Sequence, residues 1–112
     1  MAAVVALIPD LLFGSSVVSR LAAAGHETVL VSSLDQLEPK TADVLIVDLT
    51  ADPQERLEQV RRADLRQVRK VAVYAHVEAD VRRLAEQAGF DLVVPRSRFA
   101  REGGTLVTRL AD

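Results

Sequence analysis

The sequence predicts an α/β domain: five βα units building a doubly wound, five-stranded parallel sheet, with the second helix truncated. Three observations predict it. The apolar runs are short, rich in β-branched residues and continuous rather than alternating, which is how strands covered on both faces read. Segments of helical period lie between most of them. Strands that alternate with helices imply parallel pairing through right-handed crossovers.

The strands are "VVALI" (Val4–Ile8), "TVLV" (Thr28–Val31), "VLIV" (Val44–Val47), "VAVYA" (Val71–Ala75) and a shorter "LVV" (Leu92–Val94). The first helix runs over Leu12–Ala24, carries Val17, Val18 and Leu21, and stops at Gly25, a natural residue just past a helix end. "SSLDQLEPKTA", after the second strand, is too short for a crossover helix. A single turn at Leu34–Leu37, ended by Pro39, is expected there.

Asp52-Pro53 opens the next helix, with Asp as N-cap and Pro at the first helical position. Its apolar stripe is Leu57, Val60 and Ala63. A further helix spans about Glu78–Ala88, with Val81, Leu84, Ala85 and Ala88 on one face, and ends at Gly89. Ser97 is placed to cap the last helix, which bears Phe99, Leu106 and Leu110. Gly103-Gly104 in its middle costs roughly 1 kcal/mol per glycine relative to Ala, so a fray, a kink or a late start is expected.

Composition bounds the function. With 112 residues, 49% apolar and 27% charged, the chain reads as one globular domain over 1–112 without an output domain. A net charge of −2 predicts no general attraction to nucleic acid or acidic membranes. The absence of cysteine excludes thiol catalysis and disulfides. No apolar run reaches the length of a membrane span, and "MAAVVALIPD" lacks the basic start of a signal peptide, so a cytoplasmic protein is expected. "RRADLRQVRK" gathers Arg61, Arg62, Arg66, Arg69 and Lys70 without interleaved aromatics, which reads as a solvated helix end rather than a nucleic-acid surface.

In an open parallel sheet the functional crevice lies beyond the carboxyl ends of the strands. Those ends hold Pro9-Asp10, Ser32-Ser33, Asp48-Leu49-Thr50, Ala75-His76 and Pro95-Arg96. Asp10 and Asp48 thus face one another across adjacent strand ends. Close carboxylates repel unless a proton or cation intervenes, and an oxygen-rich pair of this kind suits Mg²⁺. In the plainer reading, Asp48 braces the loop before Asp52-Pro53 and Asp10 caps the first helix. "FGSS" after the first strand would cradle an anion at a helix N-terminus, although it lacks the glycine-rich phosphate-loop patterns. His26 and His76 lie far apart in sequence without ligand spacing, His76 being the nearer to the crevice.

The chain resembles a response-regulator receiver (CheY-like) domain over essentially its whole length. "ALIPD", "VLIVDLT", "VAVYAH" and "AEQAGFDLVVP" carry the likeness. The resemblance implies a flavodoxin-like fold and places Asp48 at the phosphoacceptor position. Asp10 matches one of two metal-binding acids, the other position being Pro9, and Thr50 falls where a backbone carbonyl completes a Mg²⁺ shell. Tyr74 replaces the usual Ser or Thr, followed by the usual small residue, Ala75. Pro95 or Arg96 stands where the family has lysine.

With these departures the resemblance implies a degenerate receiver that signals by protein–protein contact. It would not be an enzyme, would need no cofactor, and would hold Mg²⁺ at Asp10, Asp48 and Thr50 only weakly. Its contact face would include Val81, Arg82, Leu92 and Phe99, engaging a protein partner or a second copy. Two alternatives remain: a working receiver phosphorylated on Asp48, and a small-anion or small-ligand-binding domain.

Overall fold

The computed structural model describes residues 2–36, 42–63, 65, 67–75 and 79–112. Five strands, β1 (Ala3–Leu7), β2 (Glu27–Val31), β3 (Val44–Asp48), β4 (Arg69–Tyr74) and β5 (Leu92–Pro95), pair in the order β2-β1-β3-β4-β5. All pairs are parallel. The helices are α1 (Leu11–Ala23), α2 (Pro53–Arg62), α3 (Ala79–Gln87) and α4 (Arg96–Ala111). After β2 the chain makes only a 3-10 turn at Leu34–Gln36, as the short connection requires; Leu37 and Pro39 lie outside the described residues.

Alternation along each strand divides the core into two layers. Val4, Ala6 and Ile8 with Val44 and Ile46 face Val17 and Leu21 of α1 and Phe99, Leu106 and Val107 of α4. Val5, Leu7, Leu45, Val47 and Ala72 face the opposite side, against Val60 of α2, Ala85 of α3 and Leu34 of the turn. Central β3 is buried throughout, which is why its sequence carries no polar alternation. Edge strand β2 departs from the expectation of two covered faces. Glu27 is exposed and Val29 is 51% exposed, because a turn rather than a helix follows this strand.

Several termini differ from expectation. Asp52 sits in the left-handed region at φ 49° and its side chain makes no capping bond, so Pro53 alone marks the start of α2. Ser97 is not a cap: α4 starts at Arg96, directly after extended Pro95. The glycine pair does not break α4 either. A Cβ on Gly104 would lie 2.8 Å from the Ala24 Cβ, and one on Gly103 would lie 3.0 Å from the Phe99 ring. These glycines let α4 approach α1 and let Phe99 fold along its own helix, and that packing offsets their weak helix propensity. Gly25 (φ 90°) and Gly89 (φ 84°) terminate their helices in the left-handed region, as anticipated.

Candidate functional site

Sheet order reverses between β1, whose neighbours are β2 and β3, so the crevice opens where the carboxyl ends of β1 and β3 diverge. Asp48, the last residue of β3, projects there and is 3% exposed. Asp10 sits across from it as the N-cap of α1. Its Oδ1 accepts the N–H groups of Leu12 at 3.0 Å and Phe13 at 3.2 Å. Because β5 runs into α4 without an intervening residue, the first side chain of that helix, Arg96, is aimed at the same point.

Arg96 closes the site. Its Nη2–H donates to Asp48 Oδ2 at 2.5 Å, and both terminal nitrogens lie 3.4 Å from Asp10 Oδ2. The guanidinium carbon, Cζ, also lies over the Phe13 ring, 4.2 Å from its centroid. Asp48 Oδ1 accepts the Thr50 N–H at 3.0 Å. All four oxygens of the two carboxylates are therefore engaged by donors of the chain itself. A cation in the first turn of a helix is opposed by the helix dipole, by roughly 0.3–1 kcal/mol. Hydrogen bonds to charged groups contribute about 1.5–3 kcal/mol, so the carboxylates decide where the guanidinium sits.

The electrostatics follow from this contact. The Phe13 N–H, above all, holds the Asp10 carboxyl below the usual range; partial burial opposes this, and Arg96 and the Leu12 N–H add to it. Burial is the largest influence on Arg96 and would weaken its charge. The bond to Asp48 and the charges of Asp48 and Asp10 together outweigh burial and push the guanidinium above its ordinary value.

Of the residues singled out from sequence, Asp10, Asp48, Thr50 and Arg96 converge. Pro9 is solvent-exposed beside them and offers no side-chain ligand atom. Tyr74 is buried at the end of β4 in register with Pro95, and Ala75 follows it, half-buried. Between the two candidates for the lysine position, Arg96 reaches the carboxylates and Pro95 caps the helix. The plainer reading of Asp48 also holds for one of its oxygens, since Oδ1 braces the loop at Thr50.

Within the expected contact face, Phe99 needs correction. Phe99 is buried in the core with α1, and Val81 and Leu92 pack against opposite layers of it, leaving only Arg82 of the four exposed. "FGSS" is not a turn but the interior of α1, where the Gly14 N–H is already bonded to the Asp10 carbonyl, so no anion cradle exists there. His76 lies outside the described residues.

Two features escaped the sequence reading. Phe13, the floor beneath Arg96, follows its N-cap by three residues, and nothing local distinguishes it from a core aromatic. His26 is buried: its Nδ1 accepts the Ala2 N–H at 3.0 Å, and its Nε2 lies 2.9 Å from Thr108 Oγ1. Thr108 in turn donates to the Gly104 carbonyl at 2.9 Å. An Nδ1 that accepts requires the hydrogen on Nε2, so this chain of bonds ties β1, the start of β2 and α4 together through a neutral imidazole. A separate apolar groove of about 500 Å³ lies between α2 and α3, lined by Leu57, Val60, Leu65, Leu84, Ala88 and Phe90. It shares no residue with the carboxylate site.

No protein-family model matches the sequence, and no curated protein is significantly similar to it. Solved structures are similar in shape. A response regulator receiver protein from Burkholderia phymatum matches with a TM-score of 0.83 at 20% identity, over 99% of this chain and 95% of the other. A CheY-like receiver domain protein from Methanospirillum hungatei matches with a TM-score of 0.83 at 17% identity, over 100% and 94% of the chains. An orphan response regulator of H. pylori matches at 0.78 and 10% identity, over 98% and 96%. The fold is that of receiver domains.

Within the receiver frame, Asp10, Asp48 and the Thr50 carbonyl are the groups to test for Mg²⁺. The residues do not fit it as arranged. Among the described residues, no three acidic or histidine side chains converge on one point. The two carboxylates present no free oxygen, and a guanidinium already lies between them. A divalent ion would have to displace that fixed cation or share the space with it.

Proposed function

We propose that this domain is a receiver-like signalling module that acts through protein–protein contact, without regulated phosphorylation of Asp48, without a required metal and without enzymatic activity. The observation that carries this reading is the engagement of all four carboxylate oxygens by the chain's own donors. Phosphoryl transfer to a carboxylate needs a free nucleophilic oxygen and cationic groups around the transferring phosphoryl. Here the oxygen and the cation neutralise each other. Freeing Asp48 Oδ2 would forfeit a charge-assisted bond of about 1.5–3 kcal/mol, a tenfold to more than hundredfold penalty before chemistry begins.

Contact with a protein, a second copy of the chain included, is the output that remains. Leu11 and Leu12, 74% and 88% exposed on the first turn of α1 beside Asp10, support it, since neighbouring exposed leucines mark surfaces that gain from being covered. No described helix is long and apolar enough to cross a membrane, and a cytoplasmic location is part of the same proposal.

The test is incubation with acetyl phosphate or beryllofluoride and Mg²⁺, read by intact mass and by amide chemical shifts. No phosphoryl adduct and no shift change at Asp48–Thr50 are expected. An adduct that disappears in Asp48→Asn would establish a working phosphoacceptor and overturn the reading.

A further inference from the structure

The residue that closes the carboxylate site is itself a cation, anchored in a way that no diffusing ion is. We infer that Arg96 is a built-in substitute for a metal cation: its guanidinium pairs permanently with both Asp10 and Asp48, and the pocket takes up a metal ion only when that guanidinium is removed. This deepens the function proposed above and rests on the same site.

Three independent constraints fix the guanidinium. Its backbone belongs to the first residue of α4, which follows β5 without a loop, so Arg96 is positioned by a strand and a helix at once. Its Cζ lies over the ring of Phe13, which the same Asp10 N-cap places one turn into α1. Its terminal nitrogens bridge carboxylates from two different strand ends, 2.5 Å from Asp48 and 3.4 Å from Asp10. Arginine is a planar fork that matches carboxylates at two points, whereas a lysine ammonium would be a single point charge.

The burial of Asp48 explains why a cation is needed at all. Asp48 is almost fully buried, and a buried carboxylate must protonate, pair or bind a cation. Arg96 supplies the pair permanently. Removing its charge leaves Asp10 and Asp48 as two facing carboxylates next to the Thr50 loop, an oxygen-rich pocket that suits a small hard cation. Metal sensitivity is then a property the chain suppresses through one side chain.

The experiment is a Mg²⁺ and Mn²⁺ titration without any phosphodonor, on wild type, Arg96→Met and Arg96→Gln. Thermal melts and Mn²⁺ electron paramagnetic resonance report uptake. Tyr74 emission is a further reporter, because the chain has one Tyr and no Trp. Wild type is expected to show no saturable uptake at millimolar metal and an unchanged melting midpoint. Both variants are expected to bind with millimolar affinity and to be stabilised by the metal, and an added Asp48→Asn is expected to abolish this.

Arg96→Met keeps the aliphatic stem. Arg96→Gln keeps hydrogen-bonding capacity without charge, so a folding defect in one leaves the other decisive. Metal-dependent refolding of either variant supports the inference. Saturable uptake by wild type overturns it, as does a metal-independent result in both variants, folded or not. Phosphorylation of wild type without metal uptake would refute the proposed function while leaving the role of Arg96 intact. Metal uptake by wild type without phosphorylation would do the reverse.

Discussion

Replacing Asp48 by Asn tests the site by the sign of its effect on stability. If the crevice were an open acidic pocket, removing one of two facing carboxylates would relieve repulsion, and the variant would be more stable than wild type. With Arg96 in place the opposite holds. Asn keeps an oxygen for the Thr50 N–H but loses the charge that Arg96 Nη2 contacts at 2.5 Å. A hydrogen bond to a charged group contributes about 1.5–3 kcal/mol. The lower half of that range applies, because Arg96 keeps Asp10 as a partner and its side chain is 29% exposed, so water takes over part of the lost contact.

A loss of about 2 kcal/mol translates into temperature through the unfolding entropy. At about 2.1 cal/mol/K per residue, a chain of 112 residues shifts by about 4 °C per kcal/mol, so the melting midpoint should fall by about 8 °C. The assay is a circular dichroism melt or calorimetry at low and high salt. The shift should persist in high salt, because a buried pair is poorly screened. A double-mutant cycle of Asp48→Asn with Arg96→Met should return a coupling of about 1.5–2 kcal/mol. A midpoint that is unchanged or raised in Asp48→Asn would refute the argument, and a coupling near zero would do the same.

Two other perturbations test the frame around the site. Gly104→Ala gains about 1 kcal/mol of helix propensity but places a Cβ 2.8 Å from Ala24, so α4 must shift away from α1; a net loss of about 1 kcal/mol is expected by urea titration, and a gain would show that the close approach is not needed. Asp10→Asn keeps an N-cap and removes the charge. The folded-state pKa of Asp10 lies below its unfolded value, so its ionised form contributes stability that is full above about pH 4 and is lost as pH falls through the folded pKa. Wild type should therefore exceed Asp10→Asn at neutral pH and converge with it in acid, as followed by melts across that range; a constant gap would refute the assignment.

Much of the fold was legible because burial leaves a direct trace in composition. "VLIV" is unbroken because β3 is covered on both faces, and Gly25 and Gly89 mark helix ends because positive φ favours glycine. What failed to read out was decided by contacts between distant segments. Gly103-Gly104 weakens an isolated helix, and only the proximity of Ala24 and Phe99 shows why it is tolerated. Asp52 has the right chemistry for a cap, yet its backbone turns left-handed and takes the side chain out of reach. Asp10, Asp48 and the β5–α4 junction were legible as one crevice, because strand ends in a parallel sheet share an edge. The contact itself was not, because whether Pro95 or Arg96 faces the acids depends on a one-residue choice of where β5 ends.

Pro9 bears on the charge of the same site. A third carboxylate at that position would set three negative charges against one guanidinium and would make a divalent cation the natural partner of the pocket. With Pro9 there, only two acids remain. One of them, Asp10, already rests on the partial positive charge at the start of α1 through the Leu12 and Phe13 N–H groups. A single monovalent group then nearly balances the remainder, and Arg96 is that group. The residues at positions 9 and 96 are thus linked through charge: an uncharged Pro9 leaves two carboxylates for Arg96 to meet. With Pro9 supplying no negative charge, an arginine fixed between β5 and α4 reaches every carboxylate that faces the crevice from the ends of β1 and β3.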